Sequence, residues 1–536
     1  MQRSPPNPSL SMRPIFALLR ADAWLRLPIG RGLWTGALLL LACAGCDRAR
    51  QEEGPAAATN QPDVRRQQAR YAGSATCRAC HERQYQEWRT SNHALAERMP
   101  DPALDEPAFA ARGTIRHGSV TSDARRRGGG GYELVTQGRD GLVRPFAIER
   151  VLGHSPLRQY LVEAAGGRYQ VTELAYDPHR SEWFDVFGEE DRKPHEWGHW
   201  TNRGMTWNSM CADCHNTNLH KNYDAATDSY HTTKAEMGVG CEACHGPSAA
   251  HVDWQRKSAA DVARQRDDPM LSDYRRLNQP ALLVDACGSC HSRRSELREA
   301  FTPGEPFLDS FMPALPDHDE TWYADGQVHE EDYVYASFLM SRMYAEGVTC
   351  LDCHRPHGLG LLSSGNELCL RCHAGKIDPA AHSLHDPGGA GGQCVNCHMP
   401  HTTYMRRHPR RDHGFTIPDP QLTREFGIPN ACNRCHADKR VDWAVEAVER
   451  WYGERMERRT RTRARLVARA RERKEGVEGE LIRFVAGEAL PMWRAIGAGL
   501  LREWVGSPDV DAALVAHLAD ESPLVRLSAA RALEAA

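Results

Sequence analysis

A short pattern, Cys-x-x-Cys-His, occurs eight times in this chain of 536 residues and uses sixteen of its 18 cysteines. The pattern is the attachment signature of c-type haem, in which two thiols bond to the haem and the adjacent imidazole is the proximal iron ligand. The sequence therefore predicts eight covalently bound haem c groups. The thioether positions are Cys77, Cys80, Cys211, Cys214, Cys241, Cys244, Cys287, Cys290, Cys350, Cys353, Cys369, Cys372, Cys394, Cys397, Cys432 and Cys435, and the proximal iron ligands are His81, His215, His245, His291, His354, His373, His398 and His436.

Two other chemistries use paired cysteines. Zinc ribbons contain Cys-x-x-Cys pairs, but they do not place a histidine directly after the second cysteine every time. A disulfide framework suits an exported chain with an even number of cysteines, but it requires neither the fixed spacing nor the histidine. The pattern favours haem over both alternatives.

The N-terminal segment predicts export. An apolar stretch from Gly32 to Ala44 follows Arg26 and Arg31, which is typical of a signal peptide and too short for a permanent membrane span. It ends in Ala-Gly-Cys46, which resembles a bacterial lipoprotein cleavage box and makes Cys46 the predicted lipidation site. Cys43 is the second candidate, and a soluble secretory signal cleaved nearby is the alternative to lipidation.

The motif spacing suggests a division of the chain. We expect a lipoprotein-type signal peptide at 1–46, a flexible tether at 47–70, an octahaem cytochrome domain at 71–440, a basic helical linker at 441–475 and HEAT-like helical repeats at 476–536. A haem-free insertion at 98–207 contains alternating apolar stretches that predict short antiparallel strands. The predicted fold class is mainly α and irregular, with a cytochrome core of little regular structure, a small antiparallel β insertion and a helical C-terminal segment.

Histidines beyond the motifs are candidates for the second axial position. Their spacing from the motifs favours His93, His251, His357, His382, His385, His401 and His413 as distal ligands. The remaining candidates, among them His154, His199, His220, His231 and His329, fit a surface or hydrogen-bonded histidine better. Sequence alone does not assign a distal ligand to a particular haem.

Several segments resemble exported multihaem cytochromes of the cytochrome c-554 type. The resemblance begins at Ala72-Gly73-Ser74-Ala75-Thr76-Cys77, continues through the motifs at Cys211, Cys241, Cys287 and Cys394, and includes a doubled-motif pattern between Cys350 and His373. It implies bacterial respiratory electron transfer, two histidine ligands per haem, and residence in or anchorage to the periplasm. Octahaem and pentahaem nitrite reductases have Lys in place of one motif histidine, and all eight motifs here end in His.

The sequence therefore favours an electron carrier with a quinol-linked donor or an outer-membrane acceptor. We expect it at the periplasm or outer cell surface, anchored in the membrane by its N-terminal lipid. The alternative is a multihaem oxidoreductase with one open-site haem that acts on a small nitrogen or sulfur compound. For that alternative, the insertion region and the motif at His291, followed by Arg293 and Arg294, are the candidate places. The formal charge of −4 becomes more negative with haem propionates, so no nucleic-acid role is expected.

Overall fold

The computed structural model describes residues 70–110, 114–257, 276–299, 301–317, 321–330 and 333–534. The predicted signal peptide with Cys43 and Cys46, and nearly all of the predicted tether, lie outside these residues. Within the described ranges, no helix combines the length and the apolar character needed to cross a bilayer.

The insertion between the first two motifs forms two antiparallel sheets. A five-stranded sheet has the order β1-β6-β7-β8-β9, and a four-stranded sheet has the order β2-β3-β4-β5. Buried and partly buried residues alternate along β4, so one face of that strand lies in the core. The strands are β1 (Glu97–Arg98), β2 (Thr114–His117), β3 (Val120–Arg126), β4 (Tyr132–Gln137), β5 (Val143–Ala147), β6 (Arg150–Leu152), β7 (Arg158–Ala164), β8 (Arg168–Asp177) and β9 (Glu182–Asp185).

An aromatic core joins the two sheets to the helix Pro102–Ala110. The Phe109 ring stacks on Tyr132 of the four-stranded sheet at 4.4 Å and meets Tyr160 of the five-stranded sheet edge-on at 5.1 Å. The Trp183 indole donates a hydrogen bond of 2.7 Å to the Ala108 carbonyl. The predicted antiparallel insertion is therefore present, with longer strands and a larger core than its sequence suggests.

The motif-bearing part of the chain consists of short helices and two-stranded hairpins. The hairpins pair β10 (Asn216–Thr217) with β13 (Glu236–Met237), β11 (Tyr223–Asp224) with β12 (Ser229–Tyr230), β14 (Arg294–Glu296) with β15 (Phe311–Pro313), and β16 (His401–Tyr404) with β17 (His408–Arg411). The helices up to residue 435 are Ser74–Cys77, Glu82–Trp88, Pro102–Ala110, Trp207–Met210, Ala212–His215, Cys241–His245, Ala249–Gln255, Pro280–Gly288, Val334–Leu339, Arg342–Ala345, Glu367–His373, Pro379–Ser383, Cys394–His398, Pro420–Phe426 and Ala431–Cys435. Single 3₁₀ turns occur at Arg203–Met205, Phe307–Asp309, Cys350–Asp352 and Ala390–Gly392.

The C-terminal region is helical and shares a core with the segment before the fifth motif. Its helices are Val441–Tyr452, Arg459–Arg471, Val477–Gly487, Pro491–Leu500, Pro508–His517 and Pro523–Leu533, with 3₁₀ turns at Gly453–Met456 and Leu501–Trp504. Ile496 and Val525 of this region are buried in one cluster with Phe307 and Trp322. The Trp493 indole donates to the Met340 carbonyl at 3.2 Å. The tail thus packs directly on the cytochrome part, and its HEAT-like character stays a prediction.

Arginines of the basic helix Arg459–Arg471 meet carboxylates of the same chain. Arg461 makes two hydrogen bonds of 2.7 and 2.8 Å to Asp419. Arg465 makes a similar pair, 2.8 and 2.7 Å, with Glu425. The Arg463 guanidinium lies 3.8 Å from the centre of the Trp493 ring. These contacts tie the basic helix to Pro420–Phe426 and to the tail.

Candidate haem-binding sites

Each Cys-x-x-Cys-His motif occupies a helical turn or the end of one. In the first motif, the His81 amide donates to the Cys77 carbonyl at 2.9 Å, and His436 does the same to Cys432 at 2.8 Å in the last. Residues three and four apart share one face of a helix, so such a turn directs both thiols and the imidazole to the same side. All sixteen motif cysteines are free.

Five motif histidines face a second imidazole among the described residues. The ring centres are separated by 6.2 Å for His93 and His291, 6.3 Å for His357 and His245, 6.3 Å for His413 and His354, 6.1 Å for His382 and His398, and 6.3 Å for His385 and His436. An imidazole nitrogen binds a metal at about 2 Å and the ring centre lies roughly 1 Å further away, so two imidazoles on opposite sides of one iron have centres about 6 Å apart. The five pairs fit one haem iron each.

Backbone carbonyls fix the tautomer of several of these rings. The Nδ1 atom lies 2.8 Å from the Ala96 oxygen in His215, 2.8 Å from the Thr416 oxygen in His398 and 2.9 Å from the Arg411 oxygen in His413. A carbonyl oxygen only accepts, so Nδ1 carries the proton and Nε2 keeps its lone pair for a metal.

Burial favours the neutral form of five of these imidazoles. Desolvation lowers the pKa of His291 and of His413 to about 4. Burial also moves the pKa of His93, His245 and His398 below the usual value. Metal binding requires the neutral imidazole, which is the form these sites favour at neutral pH.

Cysteines of different motifs are close neighbours, which gives the spatial order of the motifs, numbered 1–8 along the chain. A hydrogen bond to the Cys241 thiol raises the pKa of Cys77, which joins motifs 1 and 3. Hydrogen bonds to Cys290 and to Cys350 raise the pKa values of Cys214 and Cys287 in the same way, which joins motif 2 to motif 4 and motif 4 to motif 5.

The remaining motifs continue the row. Burial is the main cause of the raised pKa values of Cys244, Cys353, Cys369 and Cys397, and neighbouring thiols add to it. Those neighbours belong to motif 4 for Cys244, motif 6 for Cys353, motif 7 for Cys369 and motif 8 for Cys397. The attachment sites therefore run 1-3-4-5-6-7-8, and motif 2 branches from motif 4.

Three motif histidines stand outside the five pairs. For His81, His215 and His373, the described part of the chain places no second imidazole at the corresponding distance. Of the predicted distal residues, His251 lies on Ala249–Gln255 and His401 begins β16. Neither enters one of the five pairs.

The structure also places two arginines, Arg410 and Arg294, in arrangements that the motif spacing did not predict. Arg410 lies over the Tyr404 ring at 4.3 Å and the Tyr333 ring at 5.0 Å. Burial is the main cause of the lowered pKa of His215 and of His291, and the positive charge of Arg410 lowers both further. Arg294, considered a partner of the His291 site, instead pairs with Asp213 and lies 3.7 Å from the Cys214 sulfur. The pattern of motif spacing carries no signal for either arrangement.

Local sequence comparisons agree with the motif geometry. The model of the cytochrome c554 and c-prime family matches residues 76–109 and 181–246, and the doubled CXXCH motif model matches residues 343–378. Together with the repeated attachment motifs, these matches define a multihaem c-type cytochrome with covalently bound haem. No curated protein sequence matches the chain.

The chain also aligns with two solved structures. The outer cell wall cytochrome OcwA is 17% identical, with a TM-score of 0.47, over 87% of this chain and 99% of its own. The octaheme sulfite reductase MccA of Wolinella succinogenes is 15% identical, with a TM-score of 0.30, over 66% of this chain and 59% of its own.

Proposed function

We propose that the chain carries eight covalent haem c groups and transfers electrons between respiratory partners outside the cytoplasm. The observation that carries this proposal is the set of five imidazole pairs with ring centres 6.1–6.3 Å apart, each containing one motif histidine. Haem c supplies one-electron redox chemistry when bound, and its potential depends on the axial ligands, hydrogen bonding and burial. The protein contributes those ligands, their orientation and their separation.

The pairs support a particular distal ligand for each of five motifs. We propose that His93 serves motif 4, His357 motif 3, His413 motif 5, His382 motif 7 and His385 motif 8. Two imidazole ligands favour a low-spin iron whose ligands change little between oxidation states. This arrangement suits a carrier, because little reorganisation accompanies the gain or loss of an electron.

The order of the attachment sites supports transfer over a distance. Motifs 1 and 8 lie at the two ends of the row 1-3-4-5-6-7-8, so a donor at one end and an acceptor at the other need not meet. We propose a quinol-linked donor or an outer-membrane acceptor as the redox partners. The signal-like N-terminal sequence and the export that haem c attachment implies support a periplasmic or surface location with Cys46 as the lipid anchor. A HEAT-like tail would add a protein-binding surface.

Haem counting and electron paramagnetic resonance on the purified ferric protein test the proposal. The mass of the intact protein should exceed that of the processed polypeptide by eight haems. At least five irons should give low-spin signals typical of two imidazole ligands. A mass excess of fewer haems, or a predominantly high-spin protein, would contradict the eight-haem carrier.

A second candidate function is catalysis at one open haem. His215 is the observation that favours it, because this histidine has no second imidazole opposite it among the described residues, and the Arg410 charge reaches it. Arg410 also lies 3.4 Å from Nδ1 of His408 and contacts two tyrosine rings. A cationic donor of this kind stabilises small anions, so a small nitrogen or sulfur oxyanion is the proposed substrate class.

The same spectra separate the two functions. A high-spin signal that changes on addition of nitrite, hydroxylamine or sulfite would favour the oxidoreductase. Arg410→Lys should then weaken the response to the added ligand, whereas Arg180→Lys, an exposed arginine of the insertion, should leave it unchanged. An all-low-spin protein would eliminate the open site.

A further inference from the structure

Three buried side chains converge where the two sheets of the insertion meet. His117 ends β2 of the four-stranded sheet, whereas Glu173 lies in β8 and Asp185 ends β9 of the five-stranded sheet. Nδ1 of His117 is 3.2 Å from an Asp185 carboxylate oxygen and 3.5 Å from a Glu173 oxygen. One ligand atom from each residue lies within 4.8 Å of the others.

The hydrogen bonds of His117 direct a lone pair into this cluster. Its Nε2 atom lies 2.8 Å from the Ser122 hydroxyl oxygen, and that hydroxyl donates its own proton to Thr136 at 2.6 Å. Ser122 is therefore the acceptor from Nε2–H, and Nδ1 of the neutral ring is unprotonated. When both carboxyl groups are ionised, three electron-pair donors face one another, and a cation between them stabilises this arrangement.

The Glu173 carboxyl group gives independent support, because it is a buried acidic group. Its side chain is only 9% exposed, and one of its oxygens lies 3.5 Å from Nδ1 of His117. None of the described residues donates a hydrogen bond to it. By contrast, the second oxygen of Asp185 accepts from the Phe187 amide at 2.8 Å. Buried carboxylates are normally paired or hydrogen-bonded, or they coordinate a metal.

We propose that His117, Glu173 and Asp185 bind a divalent first-row transition ion, with Zn²⁺ as the representative. Bonds of about 2.1 Å in a tetrahedral site place neighbouring ligand atoms about 3.4 Å apart, which matches the two contacts of Nδ1. One imidazole with two carboxylates suits this class of ion, whereas Ca²⁺ and Mg²⁺ prefer oxygen ligands throughout. A water molecule completes the fourth position.

The ion joins the two sheets. His117 comes from one sheet and both carboxylates come from the other, so the bound ion cross-links strands that otherwise meet through side-chain packing. Its charge of +2 balances the two carboxylates. The site is independent of the haem motifs, and we assign it a structural role in the haem-free insertion.

Zinc analysis of the holoprotein tests the proposal. After treatment with a chelator and dialysis, the full chain with its haems is titrated with Zn²⁺, and zinc is quantified by elemental analysis against haem iron. One Zn²⁺ should bind per chain and raise the thermal midpoint. X-ray absorption at the zinc edge should show only nitrogen and oxygen ligands at about 2.0–2.2 Å.

Matched variants locate the ion. Glu173→Gln and Asp185→Asn should lose stoichiometric zinc and its effect on the thermal midpoint. Glu182→Gln replaces an exposed carboxylate on the same strand as Asp185 and should retain both. Ser122→Ala, which removes the acceptor of Nε2–H, should weaken zinc binding about 10- to 100-fold.

Several results would overturn the site. They are the absence of stoichiometric zinc in the unaltered protein, zinc with sulfur ligands, and unchanged zinc binding in Glu173→Gln. The first two measurements need no variant, so the proposal remains testable if a substitution prevents folding.

Discussion

The imidazole rings of His93 and His291 lie 6.2 Å apart with their planes inclined by 65°, although one belongs to the first motif region and the other to the fourth motif. The Val239 amide donates to the His93 carbonyl at 2.9 Å, and the Pro356 carbonyl accepts from the His93 ring. His93 is thus held by segments next to motifs 3 and 5 while its ring faces motif 4. The pairing joins the N-terminal motif region to the centre of the row.

Replacing His93 tests this pairing directly. His93→Ala should convert one low-spin iron to a high-spin iron while the haem count stays the same, because the thioether bonds and His291 remain. Electron paramagnetic resonance before and after the substitution measures the change. His195→Ala, an exposed histidine of the insertion, is the control and should leave the spectrum unaltered. An unchanged spectrum in His93→Ala would assign the distal ligand elsewhere.

A second prediction concerns Glu97, a buried carboxylate that accepts hydrogen bonds from several donors. Its side chain is fully buried, and it contacts Arg150 at 3.0 Å and Lys234 at 3.1 Å. The Trp207 indole donates to it at 2.8 Å. Glu97→Gln keeps the shape but leaves two partly buried cations without their counter-charge, so we expect a loss of about 3 kcal/mol in the free energy of unfolding.

Denaturant unfolding followed by circular dichroism measures this loss. The control is Glu163→Gln, at an exposed position of β7, which should change stability by less than about 0.5 kcal/mol. Equal effects of the two substitutions would mean that the buried cations find other partners. Because Ala96 accepts the hydrogen bond from His215, the spectrum of the second haem should also change in Glu97→Gln but not in the control.

Short spacing from the motifs made several of the paired histidines candidates for distal ligands. His357 follows its neighbouring motif by three residues, and His382, His385 and His413 lie close to motifs 6 and 7, so proximity along the chain identified them as candidates. Their pairing was not predictable: His357 faces His245 and His413 faces His354, each belonging to a different motif from the nearest one. Proximity along the chain also made His401 a candidate distal ligand. His401 lies at an exposed position of β16 and belongs to none of the five imidazole pairs.

Other features depend on contacts between distant segments. Alternating apolar residues predicted the strands of the insertion because a half-buried strand has a period of two. The same pattern does not specify that β2 and β8 belong to different sheets, so the convergence of His117 with Glu173 had no signal in the sequence. The helical tail was predictable from its periodicity, whereas its shared core with Phe307 and Trp322 arises from side chains far apart along the chain.

The raised pKa of Asp285 predicts that the free energy of unfolding depends on pH. Asp285 accepts from the Tyr335 hydroxyl at 2.8 Å and from the Phe307 amide at 3.0 Å, yet burial raises its pKa above the usual value. The folded state therefore holds the proton more tightly than the unfolded state. Stability from this group is complete below the ordinary pKa of about 4 and is lost as the pH rises through the higher folded value.

Asp285→Asn removes this titration, and its single amide oxygen replaces only one of the two carboxylate oxygens that accept from Tyr335 and Phe307. That loss of an acceptor is the same at every pH, so the pH dependence of the difference reports the titration. The difference in unfolding midpoint between the variant and the unaltered protein should shift in favour of the variant as the pH rises from about 4 to 8. Urea titrations at a series of pH values measure it. The control is Asp509→Asn, at an exposed position of the helix Pro508–His517. A difference for Asp285→Asn that does not vary with pH would contradict the raised pKa.

The shared core predicts that the C-terminal tail is structural. Trp493 is 2% exposed, packs under Arg463 at 3.8 Å and donates to the Met340 carbonyl at 3.2 Å. Trp493→Ala removes a large buried ring and leaves a cavity between the tail and the cytochrome part, which should cost about 3–5 kcal/mol. Val515→Ala, at a position 57% exposed on the same tail, should cost less than about 0.5 kcal/mol.

If Trp493→Ala lowers the unfolding midpoint monitored by haem absorbance, the tail stabilises the haem-bearing region. If haem absorbance and its unfolding midpoint are unchanged while the tail alone becomes protease-sensitive, the tail is a separable module, and its surface is then available for a partner.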